Sequence, residues 1–461
     1  MSCCCQAETP QTQSVLLLKR VLLNLRTDIH INYLLDVPMY KAIDCCRICG
    51  GENFDSVIDL GQQALTGVFP EAEDQHVPVG PLELIKCCEK SGGCGLVQLR
   101  HSYDPSEMYG DNYGYRSGLN QSMVQHLNHR VQHAMSLVSP EAGDVILDIG
   151  SNDSTTLQAY GEHGFKLLGI DPSAEKFSHH YPSWVQYLPD FFTAKTYHSQ
   201  MGHEKAKIIT SISMFYDLED PTSFMQDIHE VLDDDGVWIF EQSYLPLMIE
   251  RDAYDTVCHE HVSYYALRQI EWMAEKAGLK VLDVELNDIN GGSFCVTAAK
   301  SSSNHVVHEA KLQQLRDAET NKGYGESAVY DAFRNRAQKH RDELKQLVSE
   351  LNDSGKKICG YGASTKGNVL LQYCGFTRND IPVIAEVNQD KFGCFTPHTL
   401  IPIASEDEVL AMKPDYLLVL PWHFRDNILV REQNYLNNGG SFLFPLPAID
   451  VVTGEHQRQV A

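Results

Sequence analysis

The stretch Val145–Asp153, VILDIGSND, limits what the rest of the chain can fold into. Its apolar start reads as one strand of a buried parallel sheet. Asp148, Gly150, Asn152 and Asp153 then fall where a tight turn leads into the helix-compatible segment TTLQAY. A strand, a small-residue turn and a helix let backbone approach a ligand, and an acidic residue there suits an amine or hydroxyls rather than a pyrophosphate. The next expected strand, Lys166–Ile170, ends at Asp171, about 20 residues on, where doubly wound folds read ribose hydroxyls. The full G-x-G-x-x-G spacing is absent. S-adenosylmethionine therefore fits better than a dinucleotide, because its amine and ribose would meet Asp148 and Asp171 with no diphosphate to cover. Asp190 and Phe191 follow a later strand position and suit adenine, one as acceptor and the other as apolar face.

At 461 residues the chain has room for about three domains. Strands at Val145–Ile149, Lys166–Ile170, Ala206–Ser211 and Val237–Glu241 alternate with helical segments, which predicts a parallel sheet between helix layers over 116–300. A net charge of -25, from 37 Lys plus Arg against 62 Asp plus Glu, denies a nucleic-acid backbone its electrostatic footing. No run reaches the roughly 18 apolar residues of a membrane span. Lys19 and Arg20 interrupt Val15–Leu25, which makes a poor signal peptide. The 14 cysteines, mostly single and in apolar surroundings, fit a reducing, cytoplasmic compartment. Residues 1–43 read as a flexible extension, and Cys3, Cys4 and Cys5 within it carry no assignable chemistry.

CRICGG supplies Cys46 and Cys49, and IKCCEKSGGCGL supplies Cys87 and Cys94, each pair running into glycine. The segment between them holds too little apolar surface for its own core, so a structural zinc is expected over 44–115. Cys45 competes for the Cys46 position and Cys88 for the Cys87 position; a catalytic dithiol is the rival reading. Tyr113 and Tyr115 in YGDNYGYRS are placed to line a pocket over the next domain.

Tyr254–Leu267, YDTVCHEHVSYYAL, concentrates proton-handling groups: His259, Glu260 and His261, with Tyr264 close behind. H-E-x-x-H is absent, which removes a zinc protease. One histidine suits a general base, and Glu260 suits orienting it or hydrogen-bonding the substrate. Extended backbone here would put both histidines on one face and Glu260 on the other. Asn290, Gly291 and Gly292 turn the chain into a closing hairpin strand, SFCVTAAK. Residues 301–352 read as a helical connector. KKICGYGASTKGNVLLQY then opens a second strand, Gly-turn and helix unit over 353–461. Its Ser364, Thr365 and Lys366 suit phosphate oxygens at a helix N-terminus, although the spacing is not that of a P-loop. A further strand ends at Glu386.

In order, CRICG, CGLVQL, LDIGSND, EQSYLP, DTVCHEHVSYY, NGGSF, GYGASTKGN and FTPHTLIP resemble the sugar C-methyltransferase family, over about residues 44–450. The resemblance implies an α/β chain: a class I Rossmann-like methyltransferase domain, an N-terminal zinc-binding domain and a C-terminal Rossmann-like domain for a sugar nucleotide. It implies S-adenosylmethionine as donor, structural zinc, and a nucleotide-linked 4-keto-deoxysugar methylated at carbon 3 through an enolate. His261 becomes the base, Glu260 its companion, and Tyr115 or Tyr113 faces the sugar. Well-studied members carry tyrosine where Cys258 stands and histidine near Tyr216; with Tyr264, Asn290 and Glu386 these positions are assigned to the sugar site. A monomer or homodimer is expected. The competing readings are methyl transfer to a sugar oxygen or nitrogen, and a nicotinamide-dependent oxidoreductase or nucleotide sensor.

Overall fold

The computed structural model describes residues 40–103, 108 and 115–454. The chain divides into two compact units, 1–41 and 42–461, and the second carries everything that follows. Cys3 to Cys5, Val15–Leu25 and Tyr113 lie outside the described residues.

Three larger sheets organise this unit. In the first, β1 (Phe54–Ala64), β2 (Val79–Cys87) and β3 (Val97–Leu99) run antiparallel. Its fourth strand is Ser263–Tyr264, which arrives from far downstream to pair antiparallel with β3. The division of the sequence into 44–115 and 116–300 is therefore crossed by one strand, and that strand directly follows the His-Glu-His motif.

The second sheet contains β4 (Val145–Ile149), β5 (Lys166–Ile170), β6 (Val185–Leu188), β7 (Ala206–Ile212), β8 (Leu232–Ser243), β9 (Leu279–Asn287) and β10 (Ser293–Lys300). Their order is β9-β10-β8-β7-β4-β5-β6. β10 runs antiparallel to both its neighbours, and the remaining pairs are parallel. Every residue of β4 is buried, as a central parallel strand covered on both faces requires. Strand order reverses between β4 and β7, which opens a crevice at the carboxyl end of β4. Helix α1 (Gln121–Val138) starts at an Asn120 cap and buries Met123, Leu127, Arg130, Val131 and Ala134, one face at helical spacing. The strand β6 is implied by the position given to Asp190 and Phe191, but its bounds are not legible because it is short and carries exposed Gln186 in mid-strand.

The third sheet contains β11 (Ile358–Tyr361), β12 (Ile384–Glu386), β13 (Ile403–Ser405), β14 (Tyr416–Val419), β15 (Ser441–Phe444) and β16 (Asp450–Thr453), in the order β13-β12-β11-β14-β15-β16. Only β16 is antiparallel to its neighbour. Between the second and third sheets lie α2 (Glu309–Asn321) and α3 (Ser327–Asp353). α3 is more than a connector. It buries Tyr330, Phe333, Ala337, His340, Leu344 and Val348 in a core shared with Val57 and Leu84 of the first sheet, Tyr254 and Val257 ahead of the His-Glu-His motif, and Ile358 and Phe442 of the third. Among the described residues no helix is long and apolar enough to cross a membrane.

Candidate functional site

Cys46 and Cys49 precede β1, Cys87 ends β2, and Cys94 sits in the loop before β3. Their Sγ atoms all lie within 4.8 Å of one another, with Cys46 to Cys94 at 3.6 Å and Cys49 to Cys87 at 3.5 Å. Tetrahedral zinc with bonds of about 2.3 Å holds sulfurs about 3.8 Å apart, so these four fit it. Cys45 is exposed and Cys88 stands outside the cluster, so neither displaces its neighbour. The glycines behind the thiols have a steric reason: a Cβ on Gly93 would lie 2.4 Å from Cys87 Sγ.

β4 delivers Asp148 to the carboxyl edge of the second sheet, where Thr210 Oγ1 donates to it at 2.5 Å. Burial pushes this carboxyl up to about 7, against the Thr210 hydrogen bond and with help from the Asp171 charge. Gly150 turns with φ 73° and donates its N–H to Ile170 O, and a Cβ there would meet Met214 at 3.1 Å. Asp171, at the end of β5, accepts from Asn152 N at 2.8 Å and from Ser173 N and Oγ at 2.6 Å. Asp190 and Phe191 follow β6; the Phe191 ring is 52% exposed, a flat apolar face suited to a base. Asn152 and Asp153 spend their side chains on the protein. Asn152 takes Ser117 N and donates to Tyr115 O, while Asp153 takes Gly118 N at 2.9 Å and faces Arg116 at 3.5 Å. They fasten the segment before α1 over the turn, and Tyr115 joins it through its backbone with its ring exposed. The donor set fits S-adenosylmethionine.

The His-Glu-His motif is a turn, closed by His261 N donating to Cys258 O at 3.2 Å, and not the extended stretch expected. The two histidines consequently point into different surroundings. His259 is fully buried, edge-on to Tyr103 at 4.7 Å, and burial brings its imidazole down to about 4. Glu260 reaches the first sheet's domain, where Thr66 Oγ1 donates to it at 3.3 Å and burial raises its carboxyl. A Cβ on Gly67 would lie 2.4 Å from Glu260 Oε1 and 3.9 Å from Thr365 Oγ1, so residues from two domains converge on this carboxylate. His261 lies against Tyr216 with ring centroids 4.0 Å apart. Its Nδ1 stands 3.0 Å from Thr256 O, which fixes the N–H there and leaves the Nε2 lone pair for a proton. Burial, then the charge of Lys366, brings this imidazole down to about 3. Tyr264 Oη donates to the same Thr256 carbonyl at 3.1 Å, so it braces the turn. Cys258 is buried, and its thiol is held well above the ordinary range by that burial.

α4 (Thr365–Cys374) follows the Gly turn of the third sheet and packs against Tyr254–Thr256. The turn uses its own donors. Ser364 Oγ accepts from Gly367 N at 3.0 Å, and Glu386 accepts from Ala363, Val387 and Asn388 amides at 2.7 to 2.9 Å. Lys366 Nζ reaches out to Asn290 O at 2.5 Å. Asn290, with φ 56°, also donates from Nδ2 to Ser213 Oγ at 3.2 Å, in the loop whose next residue, Met214, borders Gly150.

Three family models cover the chain almost end to end: a zinc binding domain over 46–109, a methyltransferase domain over 123–284 and a C-methyltransferase C-terminal domain over 288–447. The C-methyltransferase NovU of Streptomyces niveus is 30% identical over 418 residues, 90% of this chain and 98% of that protein. The chain belongs to the C-methyltransferase family. As a C-methyltransferase it is an S-adenosylmethionine-dependent enzyme with a zinc-binding N-terminal domain. The likeness to solved structures is loose. A TehB-like S-adenosylmethionine-dependent methyltransferase of Corynebacterium glutamicum is 15% identical, covers 38% of this chain and 87% of its own, and has a TM-score of 0.28. The N1-methyltransferase of Burkholderia thailandensis that acts on didemethyltoxoflavin is 12% identical, with 38% and 77% covered and a TM-score of 0.29. Neither adds to the assignment.

Several residues around the candidate site lie beyond what spacing reveals. Asp255 is buried, and its Oδ2 accepts from Trp422 Nε1 at 2.7 Å, which ties the motif loop to the third sheet. Thr66, Thr210 and Ser213 are single hydroxyls whose role depends on a partner far away in sequence. Alongside Asn290 runs a groove of about 340 Å³, lined by Ser122, His126, Arg130 and Asn290 on one side and by His423 and Asn427 on the other. Only the PWHF sequence after β14, an abrupt aromatic and histidine cluster behind a buried strand, hinted at the second wall.

Proposed function

We propose that this C-methyltransferase transfers the methyl group to the carbon beside the ketone of a nucleotide-linked 4-keto-deoxysugar, carbon 3, with His261 as general base. The observation that carries the proposal is the His261 tautomer: Nδ1 is committed to Thr256 O, Nε2 is open, and Tyr216 backs the ring in the loop that borders Gly150. S-adenosylmethionine supplies an electrophilic methyl when bound at the turn of Asp148 to Asp171. The protein's share is to hold the sugar between that turn and Nε2, and to keep water out with walls from all three sheets. The ketone acidifies the neighbouring carbon, so an imidazole can take its proton. Glu260, between Thr66 and Thr365, faces the sugar beside the base. Cys258 and Tyr216 shape the pocket, and Ser364 and Thr365 border the same cleft. The groove beside Asn290 and His423 takes the nucleotide.

Incubation with labelled S-adenosylmethionine and a panel of nucleotide-linked keto sugars, followed by carbon NMR, tests the reading. A new carbon–methyl bond beside the ketone is the expected result, and a methyl found on oxygen or nitrogen overturns it. His261→Ala should lower turnover by about two to four orders of magnitude while S-adenosylmethionine still binds.

A further inference from the structure

A cation that proton removal alone does not explain lies in the first turn of α4, which packs on Tyr254–Thr256, the segment whose Thr256 carbonyl holds His261 Nδ1. Lys366, in the first turn of α4, sends its ammonium to Asn290 O, the only hydrogen-bond acceptor it holds among the described residues. Ammonium groups carry three donors, so two remain for the cleft. Burial lowers the basicity of this lysine, and Asp255 and Cys258 only partly offset that. A cation sunk in a cleft without a carboxylate bonded to it is costly, unless negative charge develops there.

Several other donors near the base are already committed within the protein. His261 Nδ1 and Tyr264 Oη both point to Thr256 O, and Trp422 Nε1 goes to Asp255. The Cys258 thiol is a weak donor. The Gly turn that first suggested phosphate binding for Lys366 closes on itself through Ser364 and Glu386. Lys366 instead extends away from that turn toward Asn290, whose side chain is bonded to the loop that borders the S-adenosylmethionine turn.

We infer that Lys366 is a catalytic residue that donates a hydrogen bond to the ketone oxygen of the substrate and stabilises the enolate, an inference that rests on the function proposed above. The step balances. His261 Nε2 takes the proton from the carbon, the C–H electron pair forms the carbon–carbon double bond, and the carbonyl pair moves onto oxygen against Lys366. The pair on oxygen then returns, the carbon forms a bond to the methyl group, and the sulfur–methyl bond breaks with its electrons left on sulfur. The arrangement also couples the two groups. Lys366 depresses His261 basicity, and negative charge growing on the oxygen offsets that field as the proton arrives.

The test uses the full-length enzyme with S-adenosylhomocysteine and a thymidine diphosphate-linked 4-keto-deoxysugar in deuterated water, reading exchange of the proton beside the ketone by NMR. Affinity for thymidine diphosphate is measured alongside. Lys366→Met should slow both exchange and turnover by about 10²–10³-fold, the usual cost of one lost oxyanion donor, with diphosphate affinity within about twofold of wild type. Lys366→Gln repeats the measurement if the Met variant does not fold. Exchange at the wild-type rate in the variant, or a tenfold loss of diphosphate affinity with turnover at saturation unchanged, overturns the inference and returns Lys366 to phosphate binding. No exchange by the wild-type enzyme removes the carbanion reading itself, and this inference with it.

Discussion

At the scale of single residues, three neighbours in sequence have three separate jobs. His259, Glu260 and His261 belong to one turn, yet the first packs on Tyr103, the second meets Thr66 and the third lies against Tyr216. Sequence concentrates proton-handling groups here and the family resemblance singles out His261; the structure adds the different surroundings of the two histidines. His259 yields a stability prediction with a definite sign. Its folded pKa, lowered by burial from 6.5 to about 4, means that as pH falls the unfolded chain binds the proton first. Stability contributed at neutral pH is therefore lost between about 6.5 and about 4, a change on the order of 3 kcal/mol for the single group. Thermal midpoints measured across that range should fall less steeply for His259→Leu than for the wild type; parallel curves would place the acid sensitivity elsewhere.

At the scale of elements, the short strand Ser263–Tyr264 matters more than its length suggests. By pairing with β3 it hangs the His-Glu-His turn on the zinc-binding sheet. Cys49→Ser removes one of four thiolates, so the purified protein should contain little zinc and melt at a lower temperature. Turnover should fall with it, because the strand that anchors His261 loses a firm partner. Full metal content in that variant, measured by plasma emission, would refute the Cys4 site. The strands β4 and β5 were legible to the residue, since buried parallel strands write themselves as apolar runs ended by a turn. Ser263–Tyr264 was not legible, because two residues carry no period, and the antiparallel pairing that makes them a strand lies in β3.

At the scale of the whole molecule, one continuous core joins the first sheet, the Tyr254–Val257 segment, α3 and the third sheet, while one face of the second sheet shares a core with Cys46, Ile48, Cys87 and Leu96 and the other face has a core of its own. Stripping the metal with a chelator should therefore loosen more than the zinc knuckle. Hydrogen exchange is expected to rise in β1 to β3, in Tyr254–Tyr264 and in α3, and to rise least in β4 to β7, whose other face packs in a core that the thiols do not enter. Loosening confined to residues 46–94 would show that the shared core does not transmit the loss. The same continuity explains why residues 301–352, polar enough to read as a connector, form two helices of which the second, α3, is packed. Their few apolar residues fall on one face, and that face gains its value only when sheets are present on both sides.

The amino-acid sequence by itself determined the four thiols, the turn that follows β4, the acidic residue at the end of β5 and the concentration of proton-handling groups in the His-Glu-His segment, because each is a local pattern with a local physical cause. Tertiary structure alone decided that Thr256 O holds His261 Nδ1, where Glu260 and Lys366 point, and that Ser364 and Glu386 serve their own turn. Glu260, Lys366 and Glu386 depend on partners tens to hundreds of residues away, brought together by packing that no window of sequence encodes.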